Sequence, residues 1–205
     1  MPFDWFRLGG PVMYPLLACS VLAMTVVTER LLFIMRELKQ RDPALVGRIL
    51  SHTEKGEIDR AISAGRDSDD FVVRALVYGL LHRHSSFSSA LLQAAGRELK
   101  RFSRGLPVLD TIVTLAPLLG LLGTVTGLIR SFGLLGVSQL EAPTAITGGI
   151  AEALIATGFG LSIAIVALIP FNYLNARVEE ARHEIEDASN HLELLLMEPV
   201  TEVVG

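Results

Sequence analysis

The sequence predicts an all-α membrane protein with three transmembrane helices and long cytoplasmic extensions. Three observations carry that prediction. Half of the 205 residues are hydrophobic, and the mean hydropathy is +0.46. The apolar residues gather into three runs, each near the ~20 residues that cross a bilayer as a helix. The basic residues are segregated, with 13 of the 18 Lys and Arg inside residues 36–105.

The first run extends from Val12 to Val27, is interrupted by Glu29-Arg30 and resumes over Leu31–Met35. It defines a first span at 11–35 behind a short N-terminus, 1–10. Leu16-Leu17-Ala18-Cys19 loosely resembles a lipoprotein cleavage site, but the upstream segment holds Pro2, Pro11 and Pro15 and only Arg7 as a base. The run also continues past Cys19 without the break of a cleaved signal. Cys19 therefore reads as a thiol in a membrane helix, and as the single cysteine it excludes an internal disulfide and a multi-cysteine metal site. Glu29-Arg30 reads as an interfacial pair.

Residues 36–105 form a helical domain between the first two spans. Leu45, Ile49, Leu50, Ile58 and Ile62 keep a helical spacing. Gly65–Asp70 is a Ser/Asp/Gly-rich break. From Phe71 a further helix runs towards Gly105, with an interruption near His84-Ser85-Ser86. His82 and His84 lack a ligand cluster and read as solvated. The second span, 106–136, contains the charge-free stretch Thr111–Ile129. A link at 137–143 leads to the third span at 144–175, which continues as a helical tail over 176–205. That tail mixes Val178, Ile185 and Leu192 with Glu179, Glu180, Glu184 and Glu186. A solvated acidic helix and a packed one fit it equally. The concentration of Lys and Arg in 36–105 puts that segment and the C-terminus in the cytoplasm and the N-terminus outside. Lipid favours helices throughout, because helices satisfy every backbone group locally.

Glu152 is the single charged side chain between Ala142 and Ala176. A carboxylate inside a span costs at least about 2.5 kcal/mol on insertion scales, so it faces a bundle interior or a polar path. Gly148, Glu152, Ala156, Gly160 and Ala164 recur every fourth residue, as one slowly rotating ridge. Gly123 and Gly127 make a G-x-x-x-G step and, with Gly120, suit close helix approach. Two readings of Glu152 stand: a residue of an ion path, and a neutral acid hydrogen-bonded to a neighbouring helix. Thr157 lies about 140° around the helix from Glu152, and Thr124 is weak evidence alone, since membrane threonines mostly bond their own backbone. Arg130, near the end of the second span, reads as snorkelling to headgroups in preference to a functional role. Hydrolase, zinc-protease and phosphate-loop motifs are absent, so the chain is not expected to be an enzyme. No cofactor, metal or nucleic-acid partner is expected.

Leu115-Ala116-Pro117-Leu118-Leu119-Gly120-Leu121-Leu122-Gly123-Thr124-Val125-Thr126-Gly127, together with Gly149-Ile150-Ala151-Glu152-Ala153-Leu154-Ile155-Ala156-Thr157, resembles the MotA/TolQ/ExbB proton channel family. The opening Gly9-Gly10-Pro11-Val12-Met13-Tyr14-Pro15-Leu16 and Glu29-Arg30-Leu31 look like an ExbB-type start. The resemblance spans about residues 9–180 and is to the ExbB/TolQ branch, since the MotA branch has four spans and lacks a Glu at position 152. It implies a ring, a pentamer around a pore. It also implies an ExbD- or TolR-like single-span partner in that pore, and a TonB- or TolA-like protein that receives the force. It implies pore-facing roles for Glu152, Thr157 and Thr124. Thr126 stands where the family commonly has an aromatic residue, which bears on local packing and on the coupling ion. A membrane scaffold is the competing reading. A solute carrier acting alone is disfavoured, because three spans without an internal repeat lack the usual inverted-repeat machinery.

Overall fold

The computed structural model describes residues 9–133 and 142–197, apart from the side chains of residues 84–86 and 142–146. The N-terminal tail through residue 8, the end of the second span at 134–136, most of the link at 137–143 and the last eight residues of the tail lie outside the described residues. So does the side chain of His84.

Every regular element among the described residues is helical: α1 Met13–Lys39, α2 Pro43–Glu54, α3 Ile58–Gly65, α4 Phe71–Leu81, α5 Arg83–Phe102, α6 Leu106–Gly133 and α7 Ala142–Met197. Three helices, α1, α6 and the Thr147–Met197 part of α7, are long and apolar enough to cross a membrane. Pro117 and Pro170 lie inside α6 and α7, as membrane helices tolerate. The interruption expected near residue 84 falls at His82, whose backbone (φ −105°, ψ 16°) leaves the helical region.

The chain divides into two compact units: residues 1–30 with 105–173, and residues 31–104 with 174–205. In the first unit, Val12, Met13, Leu16 and Ala116 form a buried cluster, with Leu119 and Ile163 packed on it. The buried apolar residues of α1 here, Met13, Leu16, Cys19 and Ala23, are spaced by three, three and four. Steps of three and four hold to one narrow face of a helix. Gly105, at φ +81°, makes the turn into α6, and a methyl there would lie 3.0 Å from Val26 Cγ1.

The second unit is built on Ile49, Phe71, Leu76, Leu80, Ile185 and Leu192, all buried. Phe102 stands edge-on to Phe71 and Phe33, with ring centroids 5.0 and 5.5 Å apart. Asp42 caps α2, accepting from Leu45 N at 2.9 Å, with Pro43 at the first helical position. Asp70 caps α4, accepting from Val72 N at 2.8 Å. It also accepts from Asp42 N at 2.7 Å and pairs with Arg41, which reaches Glu184 at 2.6 Å. Buried Glu37 meets Arg101 at 3.0 Å and Arg74 at 3.4 Å, and Glu98 meets both arginines at 2.8 Å. Burial alone would lower the pKa of Arg74, but Glu98 and then Glu37 outweigh it and raise the value. The four groups thus satisfy one another, the condition under which buried charge is tolerated.

The tail is packed. On α7, Ala153, Ala156, Gly160, Ala164, Ala167, Leu174, Val178, Ala181, Ile185 and Leu192 are buried. Their steps of three, four and seven continue well past Asn175, so Glu179, Glu180 and Glu186 are on the solvated face of a helix whose opposite stripe is covered, while Glu184 turns to Arg41.

Candidate functional site

The site lies in the first unit, where α6 and α7 run antiparallel with small residues between them. A methyl group on Gly120 would sit 3.0 Å from Thr157 Cα and 3.1 Å from Ala156 O, and one on Gly160 would lie 2.5 Å from Ala116 O. At Gly127 the same group would reach 3.0 Å from Ala153 Cβ and from Gly149 O, and at Gly123 it would collide with Ala156 Cβ. Backbones this close need glycine on one side and glycine or alanine on the other, the general device of membrane helix pairs.

The contact ridge on α7 is Gly149, Ala153, Ala156 and Gly160. Within one chain it differs from the spacing-based ridge at two positions. Gly148 is exposed with nothing within 4 Å of its side-chain position; Gly149 takes that place. Glu152 lies on the flank of the ridge and not along its crest. Ala156, Gly160 and Ala164 of the four-residue series are buried, and a helix of 3.6 residues per turn keeps contact within one chain by alternating steps of three and four.

Glu152 is half-buried and accepts from Arg130 Nη1 at 3.2 Å, with 26% of its side chain exposed. Its other neighbour is the start of the chain's first helix. Gly10 adopts φ +73°, and a Cβ there would lie 2.8 Å from Glu152 Cδ and overlap Oε1. A Cβ on Gly9 would approach Ile155 Cγ2, one turn further along α7, at 3.2 Å. Gly10 therefore leaves the volume that the carboxylate fills, and Gly9 leaves room for Met13 and Ile155.

Thr157 and Glu152 occupy opposite flanks of the ridge. The Thr157 hydroxyl donates to Gly120 O on α6 at 2.9 Å, and the Thr124 hydroxyl donates to Leu121 O of its own helix at 2.7 Å. Each hydroxyl has spent its single proton on a carbonyl and keeps its lone pairs for accepting. Within one chain, the two threonines and the carboxylate do not converge on a common point. No cluster of His, Cys, Asp and Glu fit to hold a metal occurs among the described residues. His82 is exposed and stacked on Tyr78 at 4.3 Å.

Arg130 and Gly10 are the residues that sequence reading undervalued. Arg130 lies 3.2 Å from Glu152 with 56% of its side chain still exposed. The helix register is the signal that could have found it. With Gly127 against Ala153, the base one turn beyond Gly127 and the acid next to Ala153 become neighbours.

Three long apolar helices, two of them joined along a seam of glycine and alanine, define a multi-pass helical membrane protein. Residues 66–187 match the MotA/TolQ/ExbB proton channel family, and the chain belongs to that family. The chain is 39% identical, over 95% of its length and 79% of the other, to an ExbB-like biopolymer transport protein of Synechocystis sp.. It is 30% identical to an ExbB homolog of Methanothermobacter thermautotrophicus, over 89% of this chain and 66% of that one. A shorter match, 42% identical over 90 residues, covers 44% of this chain and 39% of the Tol-Pal system protein TolQ of Pseudomonas aeruginosa. The family is one of channels and transport proteins, not of enzymes.

Proposed function

We propose that this chain is an ExbB-like stator subunit of a bacterial inner membrane. Several copies, five by the family resemblance, enclose a pore that holds an ExbD-like single-span protein. Together they convert the proton-motive force into mechanical work for TonB-dependent outer-membrane transport. The N-terminus faces the periplasm, and residues 36–105 and the C-terminal tail face the cytoplasm. The single observation that carries the reading is Glu152, a carboxylate kept among apolar helices and held at 3.2 Å from Arg130. Pairing reduces the cost of placing either charge in the apolar layer, so the acid can be kept there for use. Thr124 and Thr157 line the proton's route through their lone pairs, in the assembled ring and not within one chain.

Glu152→Gln and Glu152→Ala test this in cells by TonB-dependent uptake. Both are expected to abolish it, because neither side chain exchanges a proton. Full uptake in both overturns the proposal. Uptake kept by Gln and lost by Ala points to the scaffold, since an amide oxygen still accepts from Arg130. The local identity to TolQ favours one second reading, a TolQ-like role. Co-purification separates the two: an ExbD-like partner with a TonB-like protein supports the first, and a TolR-like partner with a TolA-like protein supports the second.

A further inference from the structure

We propose that Arg130 and Gly10 are positioning residues that hold the Glu152 carboxylate in one resting place. The proposal rests on the reading of Glu152 as the ion-path acid and names what governs its availability. Glu152 projects from α7 on a flexible side chain. Two groups from other elements limit it. Arg130 Nη1 lies 3.2 Å from Oε1. On another side is the Gly9-Gly10 turn, where even one carbon on Gly10 would occupy the place of Oε1. The turn is fixed in its own right: Gly10 has φ +73°, and its carbonyl accepts from Met13 N at 3.1 Å. The carboxylate therefore sits between a cation and a backbone surface that only glycine provides. The entry of α1 and the exit of α6 are thereby tied to one atom of α7.

The consequence is a controlled acid. A carboxylate held 3.2 Å from Arg130 cannot swing towards another group until the pair opens. Arg130 does not touch the transported ion; it acts through Glu152. Gly10 acts through volume alone.

The test is chemical labelling of the purified assembly in detergent with dicyclohexylcarbodiimide, which attacks protonated carboxyls in apolar surroundings. Modification of the peptide carrying Glu152 is followed by mass spectrometry. Arg130→Gln is expected to accelerate labelling by about tenfold, the ratio that ~1.4 kcal/mol commands. Arg130→Lys should restore most of the slow rate, because a cation returns. Gly10→Ala should also accelerate labelling, since the methyl displaces the carboxylate from Arg130. Unchanged labelling in Arg130→Gln and Gly10→Ala, with the assembly intact by size-exclusion chromatography, overturns the proposal. If Gly10→Ala fails to assemble, the Gly10→Ala/Glu152→Ala double variant decides. The strain of φ +73° is present in both, so it cancels in the comparison. Recovery of assembly on removing the Glu152 side chain supports the volume argument; failure as severe as in the single variant overturns it. Labelling reports where the carboxylate sits, whether or not it carries ions. Loss of the proposed function and loss of the positioning are thus read separately.

Discussion

Thr157 illustrates how one hydrogen bond can join structure and function at the scale of a residue. Its hydroxyl donates to Gly120 O at 2.9 Å, across the closest approach of two helices. Thr157→Val keeps the shape and removes the bond. Interhelical hydrogen bonds in membranes average about 0.6 kcal/mol, so only a small loss of thermal stability is expected. Thr157→Ser should retain it. If Thr157 also lends a lone pair to an ion path, valine will cost far more transport than stability, and uptake assays set beside thermal unfolding will show that gap. Glu152 was legible as an unusual residue from the sequence, because one charge in a long apolar run is visible without any structure. Its partner was not. Arg130 is 22 residues away, and only the register of α6 on α7 makes them neighbours.

At the scale of the element, the glycines divide by environment and not by motif. A methyl at Gly160 would press on Ala116 O and Gly120, whereas one at Gly148 would meet nothing. Gly160→Ala is therefore expected to lower the melting temperature of the purified protein. Gly148→Ala should leave it unchanged or raise it, since alanine gains about 0.5–1 kcal/mol over glycine inside a helix. Loss of assembly in Gly148→Ala would instead place that face between copies. The existence of these helices, their length and their apolar character were legible in the hydropathy pattern. The phase of the contact stripe was not. Alternative stripes one residue apart look equally small in a segment rich in Gly and Ala.

At the scale of the whole molecule, burial is low where apolar character is high. Only 22–28% of the most apolar stretch of each long helix is buried within the chain. Such surface needs lipid or further copies. The purified protein should stay soluble only in detergent or lipid, and the proposed ring should give a native mass several times 22.2 kDa. The second unit adds buried ion pairs to its apolar core. The Asp70 carboxylate is wholly buried yet serves the α4 cap and Arg41. Asp70→Ala removes a cap worth about 0.5–2 kcal/mol and leaves Arg41 with Glu184 and the Phe71 ring. A lower thermal midpoint is expected, with Glu152 labelling unchanged. Coupled loss of both would mean that the two units share one folding transition.

The sequence by itself determined the class. Hydropathy, the segregation of basic residues and the isolated acid at 152 are one-dimensional signals, set by the transfer of side chains from water to lipid. They gave three spans, the helical domain between the first two and the position of the unusual charge. Tertiary structure alone decided what that charge touches. The pairing of Glu152 with Arg130, the cavity left by Gly10 and the bond from Thr157 to Gly120 all depend on how far one helix is shifted and turned against another. Those two quantities come from the packing of small residues, whose side chains carry too little difference in hydrophobicity for the sequence to announce the answer.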